Sequence, residues 1–169
     1  MNAPPEATSR LFVALWPDAA ALRALTGWQA RWSWPQRAVV VAPAQLHLTV
    51  QFIGAVPNAR LPELARELAL PMRPFELSFG RAGHWPKGLA VLCPDAVPDG
   101  LTALHTGLQA ALQRLALPVE ARPFRPHVTL ARRATGALPP SEPATLQWSV
   151  RGYALVQSRS GYQSLAHYP

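Results

Sequence analysis

The sequence predicts an α+β fold with antiparallel strand pairing, in which two similar lobes enclose a cleft. Strand and helix patterns follow one another without the regular alternation of a parallel doubly wound sheet. The 19 prolines and 10 glycines divide the chain into many short elements. Its length of 169 residues fits one domain, and each half offers strands, a packing helix and one copy of a short polar motif. We expect a flexible tail over residues 1–9 and one bilobal domain over residues 10–169.

The first half of the chain carries three predicted strands and two predicted helices. In chain order they are a strand over residues 10–15, a helix over 19–31, strands over 39–41 and 46–53, and a helix with Leu61, Leu64 and Leu68 on its apolar side. Trp16-Pro17 ends the first strand, and Asp18 is the predicted N-cap of the first helix. A turn is expected over residues 54–57, and Asn58 is expected to cap the second helix.

The second half repeats this arrangement of strands around one helix. In chain order it contains predicted strands over residues 75–79 and 89–93, a helix over 101–115, a strand over 127–132, a loop over 136–143, and a closing hairpin of residues 147–156 and 162–168. Gly83 and Pro86 indicate the loop between the first two of these strands. Pro123 and Pro126 precede the strand that begins at His127.

A tetrad of His, apolar, Thr, apolar occurs in both halves, as His47-Leu48-Thr49-Val50 and His127-Val128-Thr129-Leu130. Alternate side chains of a strand share a face, so each His and Thr should point together while the apolar pair enters the core. Composition alone would produce two such copies about once in a thousand chains of this kind. Two facing tetrads would place two imidazoles and two hydroxyls around one cleft, which suits acid–base chemistry at phosphorus. The alternative is two unrelated strand histidines, since His and Thr are ordinary half-buried strand residues.

The charge of the chain is positive, with a formal net charge of +7. All of its cationic residues except Lys87 are arginine, whose planar fork donates two hydrogen bonds to phosphate. A positive field favours an anionic ligand, and RNA or a nucleotide is the natural candidate. The preference for arginine can also reflect GC-rich codon usage, so charge alone does not identify the partner.

Cys93 is the single cysteine, which excludes an internal disulfide framework and fits a reducing compartment. Residues 1–9 lack the basic and apolar regions of a signal peptide, and no apolar run reaches the length of a membrane span. We therefore expect a cytoplasmic protein without membrane association. Phosphate-binding, dinucleotide-binding, zinc-protease and serine-hydrolase motifs are absent from the sequence. No metal site and no cofactor are expected, because the histidines and the one cysteine have no clustered ligand spacing.

Three blocks of sequence carry a family resemblance: residues 10–14 (RLFVA), residues 46–54 (LHLTVQFIG) and residues 122–132 (RPFRPHVTLAR). With Gln157-Ser-Arg159 and Tyr162, they make the chain similar to the two-histidine phosphoesterase superfamily. Within it the chain looks closest to the RNA 2′,3′-cyclic phosphodiesterases, also called 2′-5′ RNA ligases. The resemblance implies a V-shaped cleft with helices outside.

The resemblance also implies roles for the histidines, with His47 as proton donor and His127 as proton acceptor. The residues alone do not orient the pair. Relatives often carry an arginine eight residues before the first histidine, where this chain has Val39. Either Arg37 replaces that contact or the contact is missing.

Several other residues are candidates for substrate contacts. Thr49 and Thr129 can donate hydrogen bonds to non-bridging phosphate oxygens, and Arg132 can supply positive charge. Arg125 should share the face of the second histidine and meet either phosphate or solvent. Phe52 is expected either to stack on a base or to pack, while packing is expected for Phe12.

The remaining histidines have weaker claims to chemistry. His84 and Trp85 are expected in a loop, where they either rim the cleft or lie on the surface. A structural role is expected for His105, which borders the leucine stripe of the third helix. His167 is expected at the surface.

The sequence therefore predicts hydrolysis of RNA 2′,3′-cyclic phosphate ends to 2′-phosphomonoesters, and reversible 2′-5′ ligation when an RNA 5′ hydroxyl replaces water as the nucleophile. The expected partners are RNA ends or small nucleotides with a 2′,3′-cyclic phosphate, acted on by a monomer. One alternative is a two-histidine esterase for a small cyclic nucleotide or a 2′-5′ oligonucleotide. The other is a non-catalytic RNA-binding module, which has no need of two matched His-Thr pairs.

Overall fold

The strands of the computed structural model, which describes residues 7–169, form one curled antiparallel sheet with three helices. The strands are β1 (Thr8–Leu15), β2 (Val39–Val40), β3 (Leu48–Pro57), β4 (Phe75–Trp85), β5 (Leu89–Pro94), β6 (Val128–Arg132), β7 (Leu146–Val150), β8 (Tyr153–Ser158) and β9 (Tyr162–Tyr168). The helices are α1 (Ala19–Gln29), α2 (Leu61–Glu67) and α3 (Asp99–Arg114). The predicted α+β class is confirmed.

The sheet is divided into two halves by its strand order, which is β7-β4-β5-β6-β3-β1-β8-β9, with the short β2 paired to β6. β3 and β6 meet at the centre through a single registered pair, Leu48 with Val128. Both residues belong to the tetrads. The two predicted lobes are thus the two halves of this sheet, and the tetrads lie at the junction between them.

The helices cover one side of the sheet. α1 packs against β7, and α3 packs against β3. The predicted leucine stripe of α3 is buried in the main core at Leu101, Leu104, Leu108 and Leu112. Asp18 caps α1 as predicted, because its carboxylate accepts a 2.8 Å hydrogen bond from the backbone N–H of Ala21.

Strand β1 buries side chains on both faces. Leu11, Val13 and Leu15 enter the main core beneath the helices. Phe12 and Ala14 belong to a small separate cluster with Ala154, Val156 and Trp16. Since Phe12 also lines the cleft, this second cluster marks the side of the sheet that the helices leave open.

The predicted turn over residues 54–57 is wrong, because β3 continues through it to Pro57. These residues pair with β1, which begins at Thr8, so Thr8 and Ser9 belong to the sheet rather than to the predicted tail. Gly54 has φ +87° beside a register shift at Leu11 and Phe12, so the chain bends there without leaving the sheet. The rest of that predicted tail, residues 1–6, lies outside the described residues.

The predicted capping role of Asn58 is also wrong. Asn58 lies in a single turn of 3₁₀ helix before α2, and its side chain accepts a 2.7 Å hydrogen bond from the Ser9 hydroxyl. Its backbone N–H donates to the carbonyl of Ala7. Asn58 therefore stabilises the start of β1. Because its side-chain oxygen is bound to Ser9, that oxygen is not available to cap α2.

The predicted strand over residues 147–156 is two strands in the structure. β7 pairs with β4 in one half of the sheet, whereas β8 pairs with β1 in the other. The chain crosses between them at Gly152, where a Cβ would lie 2.5 Å from the backbone oxygen of Tyr168. Only glycine fits this approach, so the crossing requires it. β8 and β9 form the predicted closing hairpin.

β4 is longer than predicted and extends to Trp85, so Gly83 and His84 lie in a strand and not in a loop. The predicted pairing of β4 with β5 is confirmed. No helix in residues 7–169 combines the length and the apolar character needed to cross a membrane.

Candidate active site

The tetrads lie side by side across the central junction of the sheet. Leu48 and Val128 are Cα partners in antiparallel strands. Continuing that register by one residue in each direction places His47 level with Thr129, and Thr49 level with His127. The strands themselves begin at Leu48 and Val128, one residue after each histidine. The predicted alternation is confirmed, because the apolar members are buried while the histidines and threonines are only half-buried.

Each tetrad histidine has the same local hydrogen bond. The distance from His47 Nδ1 to the backbone oxygen of Gln45 is 2.6 Å, and the distance from His127 Nδ1 to that of Arg125 is 2.8 Å. A carbonyl oxygen only accepts, so Nδ1 donates its proton in both rings. Nε2 is then the nitrogen free to exchange a proton with a substrate, in the same tautomer for both histidines.

His47 lies among three aromatic rings. The indole of Trp16 is stacked on the imidazole with centroids 5.0 Å apart and planes 15° apart. Phe12 and Tyr162 contact the ring at 5.2 and 5.1 Å, the tyrosine edge-on. The imidazole is therefore surrounded by aromatic rings from β1, from the residue that follows β1, and from β9.

His127 has a different neighbourhood. Its ring contacts the indole of Trp85 with a centroid distance of 4.1 Å and a tilt of 50°. The guanidinium of Arg125 lies over the same indole, 4.6 Å from its centroid. The same indole thus contacts both this imidazole and a positive charge.

Burial lowers the pKa of both histidines below 6.5, because desolvation disfavours the charged imidazole. The hydrogen bonds to the backbone carbonyls oppose this effect in each case. The charges of His127 and Arg132 further lower the pKa of His47, and the charge of Arg125 further lowers that of His127. Both groups therefore exchange protons on the acid side of neutrality.

A cavity of about 400 Å³ lies over the tetrads. Its lining consists of Arg10, Phe12, Val41, Gln45, His47, Thr49, Phe52, Leu89, His127, Thr129, Arg132, Ser158 and Tyr162. The two histidines, the two threonines, Arg132 and Phe52 are thus brought together as the sequence predicts. Arg132 brings positive charge to the rim, and Phe52 is 41% exposed, so neither is consumed by packing.

Two predicted contacts are not in the cavity. Arg125 lies over Trp85 and does not line the cavity wall. Arg37 is exposed and also lies outside the lining. Val39 is 51% exposed in β2, where it is the Cα partner of Arg132. Neither position therefore brings a positive charge to the cavity lining.

The sequence prediction missed Trp16, Tyr162, Ser158 and Arg10 as residues around the site. Arg10 lies over the Phe52 ring at 5.0 Å. The sequence signal that could have indicated Arg10 is the alternation of β1, because Arg10, Phe12 and Ala14 share one face of that strand. Tyr162 and Ser158 reach the site only through the β1–β8–β9 pairing, which local sequence does not encode.

The other histidines either bind backbone oxygens or lie at the surface. His105 Nδ1 lies 2.9 Å from the backbone oxygen of Val50, and its ring is stacked on Phe124 at 4.1 Å. His84 Nε2 lies 2.8 Å from the oxygen of Ala137, and His167 is exposed. Among residues 7–169, no group of His, Cys, Asp or Glu is arranged to hold a metal ion.

A curled antiparallel sheet with paired imidazoles and hydroxyls at its centre is the arrangement expected from the resemblance to the two-histidine phosphoesterase class. The family model of the 2′-5′ RNA ligase superfamily matches residues 13–161, and the chain belongs to that superfamily. The resemblance found in the sequence is thereby confirmed.

Named proteins and a solved structure are similar to this chain. An RNA 2′,3′-cyclic phosphodiesterase of Thermus thermophilus is 37% identical over 132 residues, which cover 70% of this chain and 66% of that protein, just under two thirds. An RNA 2′,3′-cyclic phosphodiesterase of Escherichia coli is 32% identical over 150 residues, covering 88% and 83%. The crystal structure of E. coli LigT complexed with 3′-AMP has a TM-score of 0.82 and 26% identity, covering 96% of this chain and 98% of that one.

Proposed function

We propose that this protein hydrolyses the 2′,3′-cyclic phosphate at the end of an RNA chain to a 2′-phosphomonoester. The observation that carries the proposal is the matched pair of imidazoles, each with Nδ1 bound to a carbonyl and both in the wall of one cavity. Opening a cyclic diester needs one base and one acid, and two histidines supply both. The names of the Thermus and E. coli relatives support the same reaction.

In the proposed step, neutral His127 takes a proton from water through Nε2 as the water oxygen bonds to phosphorus. The bond from phosphorus to the ribose 3′ oxygen breaks, and protonated His47 gives its proton to that oxygen. The products are a 2′-phosphomonoester and a free 3′ hydroxyl. The assignment of donor and acceptor follows the family resemblance.

The negative charge that grows on phosphorus is met by the other site residues. Thr49 and Thr129 can donate hydroxyl hydrogen bonds to the non-bridging oxygens, and Arg132 can donate from its guanidinium. Donors held in place before the reaction need no reorganisation, so they stabilise the transition state more than the ground state.

One chain supplies both histidines, so the proposed reaction needs no partner subunit, in keeping with a monomer. The single half-buried cysteine, Cys93, fits action in the cytoplasm. When an RNA 5′ hydroxyl replaces water as nucleophile, the reverse of 2′-5′ bond cleavage would join two RNA ends through the same groups.

The test is an assay of the purified protein with a short RNA that ends in a 2′,3′-cyclic phosphate, in the presence of excess EDTA. We expect conversion to the 2′-phosphate, identified by chromatography against authentic 2′- and 3′-phosphate standards. The His47→Ala/His127→Ala double variant is the matched control and should leave the substrate intact.

The alternatives have their own outcomes in this assay. Turnover of a cyclic mononucleotide but not of the RNA would identify a small-nucleotide esterase. Binding of the RNA without turnover would identify an RNA-binding module. Activity that is lost in EDTA and restored by a divalent ion would overturn the two-histidine mechanism.

A further inference from the structure

A feature outside the proposed chemistry is the stack of three side chains that ends on His127. The imidazole contacts the Trp85 indole at a centroid distance of 4.1 Å, and the Arg125 guanidinium lies over that indole at 4.6 Å. The second distance is within the range of about 6 Å for cation–π contacts, and the first is shorter than the roughly 4.5–7 Å that is usual for aromatic pairs. Trp85 is half-buried, at the end of β4 and beside the turn to β5.

Arg125 is tied to His127 in a second way. Its backbone oxygen lies 2.8 Å from His127 Nδ1 and accepts the proton that sets the tautomer. Pro126 follows Arg125 and restricts the backbone of Arg125 to extended conformations, which favours one position of its carbonyl. Arg125 therefore contacts the imidazole in two ways. Its carbonyl accepts the Nδ1 hydrogen bond directly, and its guanidinium contacts the Trp85 indole, which in turn contacts the ring.

We propose that Trp85, which contacts both His127 and Arg125, is a positioning residue for His127, and that Arg125 acts through this stack instead of binding substrate. The proposal rests on the function proposed above. It replaces the predicted role of Arg125 as a phosphate contact, which agrees with the absence of Arg125 from the cavity lining.

The stack also affects protonation of the imidazole. Trp85 excludes water from one face of His127, and burial is the largest cause of its lowered pKa. The charged and titratable groups of the elements around the ring are Arg125, Arg132, His47 across the junction, and Arg81 and Cys93 beyond Arg125. Removal of the indole should therefore raise the pKa of His127 and leave that of His47 nearly unchanged.

The first experiment needs no substrate. Imidazole nitrogens of ¹⁵N-histidine-labelled protein are followed by NMR from pH 4.5 to 8 in wild type, Trp85→Leu and Trp85→Phe. In Trp85→Leu we expect a raised His127 pKa and a mixture of tautomers, while Trp85→Phe retains most wild-type behaviour. Unchanged His127 resonances in a folded Trp85→Leu variant would overturn the proposal, and they would do so even if the proposed reaction is wrong.

The second experiment separates positioning from substrate contact. Trp85→Leu should lower kcat about tenfold with little change in KM, because a displaced imidazole affects the chemical step. Arg125→Gln should lower kcat by less, and it should have no further effect when added to Trp85→Leu. Arg151→Ala, which removes an exposed charge outside the cavity, is the matched control.

A direct contact with RNA would behave differently. In that case Arg125→Gln would raise KM, reduce the dependence of KM on salt, and add fully to Trp85→Leu. That pattern would overturn the proposed role of Arg125. A Trp85→Leu variant that fails to fold would leave Trp85→Phe and Arg125→Gln to decide, through the His127 pKa and the split between kcat and KM.

Discussion

At the scale of residues, the two imidazoles share one tautomer but have unlike surroundings. His47 lies among three aromatic rings, whereas the one indole that contacts His127 also contacts the Arg125 guanidinium. An acid–base pair needs this kind of difference, because identical groups would compete for the same protonation state.

The pH dependence of kcat/KM tests whether the two histidines act as an acid–base pair. If one imidazole must be neutral and the other protonated, kcat/KM should follow a bell-shaped profile. Because burial lowers both pKa values, we expect its limbs below 6.5. His47→Ala and His127→Ala should each lose one limb and about a hundredfold in rate. A stopped-assay pH series on each variant measures both effects.

Threonine variants provide the comparison for the histidines. Thr49→Ala and Thr129→Ala should reduce kcat/KM less and leave both limbs in place, since a hydroxyl does not titrate in this range. All four variants should unfold at urea concentrations near that of wild type, because the apolar sides of the tetrads are intact. A folded and nearly fully active His47→Ala or His127→Ala variant would show that its tetrad is structural.

Arg132 and Arg37 give a matched pair of charge deletions. Arg132 lines the cavity and Arg37 does not, so Arg132→Ala should cost about a hundredfold in kcat/KM while Arg37→Ala stays close to wild type. Arg132→Ala should also weaken the dependence of kcat/KM on salt, because one phosphate contact is lost. Equal small effects of both variants would mean that the phosphate binds elsewhere in the cleft.

At the scale of elements, a buried glutamine joins α1 to the strands beneath it. The side-chain amide nitrogen of Gln29 donates to the backbone oxygens of Val41 at 3.0 Å and of Leu130 at 2.9 Å. Leu130 belongs to the second tetrad, and Val41 lines the cavity. The end of the first helix thus fixes the segment after β2 against the strand that carries His127.

Removal of this amide should destabilise the fold. Gln29→Leu leaves the Val41 carbonyl without its donor and the Leu130 carbonyl with only the backbone N–H of Val41, so we expect the free energy of unfolding to fall by about 1–3 kcal/mol in urea titrations. Gln36→Leu, at an exposed position on the following loop, is the control and should change it little. A Gln29→Leu variant as stable as wild type would mean that water satisfies the Val41 carbonyl.

Most elements were predictable because their signals are local. The cap at Asp18, the leucine stripe of α3 and the alternation of the tetrads are readable within a few residues, and each holds in the structure. The failures at Gly54 and Gly152 have the opposite cause. The turn predicted at Gly54 is a bulge inside a strand, and the strand predicted through Gly152 is divided there by a close backbone approach. Both features are set by distant strands.

The site shows the same limit. His47, His127, Thr49 and Thr129 were predicted because one motif repeats, whereas Trp16, Trp85 and Tyr162 reach the imidazoles from three different strands or their ends. Only the assembled sheet order brings them together, so no local pattern indicates their role.

At the scale of the whole molecule, the two central histidines link stability to acid. Their folded-state pKa values lie below those of an unfolded chain, so the unfolded state binds protons first as pH falls. Their contribution to stability is complete above about pH 6.5 and is lost as the pH falls through the folded pKa values.

We therefore expect the urea midpoint to drop between pH 7.5 and pH 5, and to drop less in His47→Gln and His127→Gln. His167→Gln, at an exposed site away from the tetrads, should follow the wild-type curve. Parallel curves for all four proteins would contradict the lowered pKa values.

The sheet order has a consequence for when the protein becomes active during its synthesis. β1 and β3, at the start of the chain, share their half of the sheet with β8 and β9, and the cavity wall includes Ser158 and Tyr162. A nascent chain that has displayed both histidines outside the ribosome still lacks this wall and the edge partner of β1. The wall of the candidate site is therefore complete only after translation has passed the β8–β9 hairpin. A chain whose synthesis stops before that hairpin is not expected to be active.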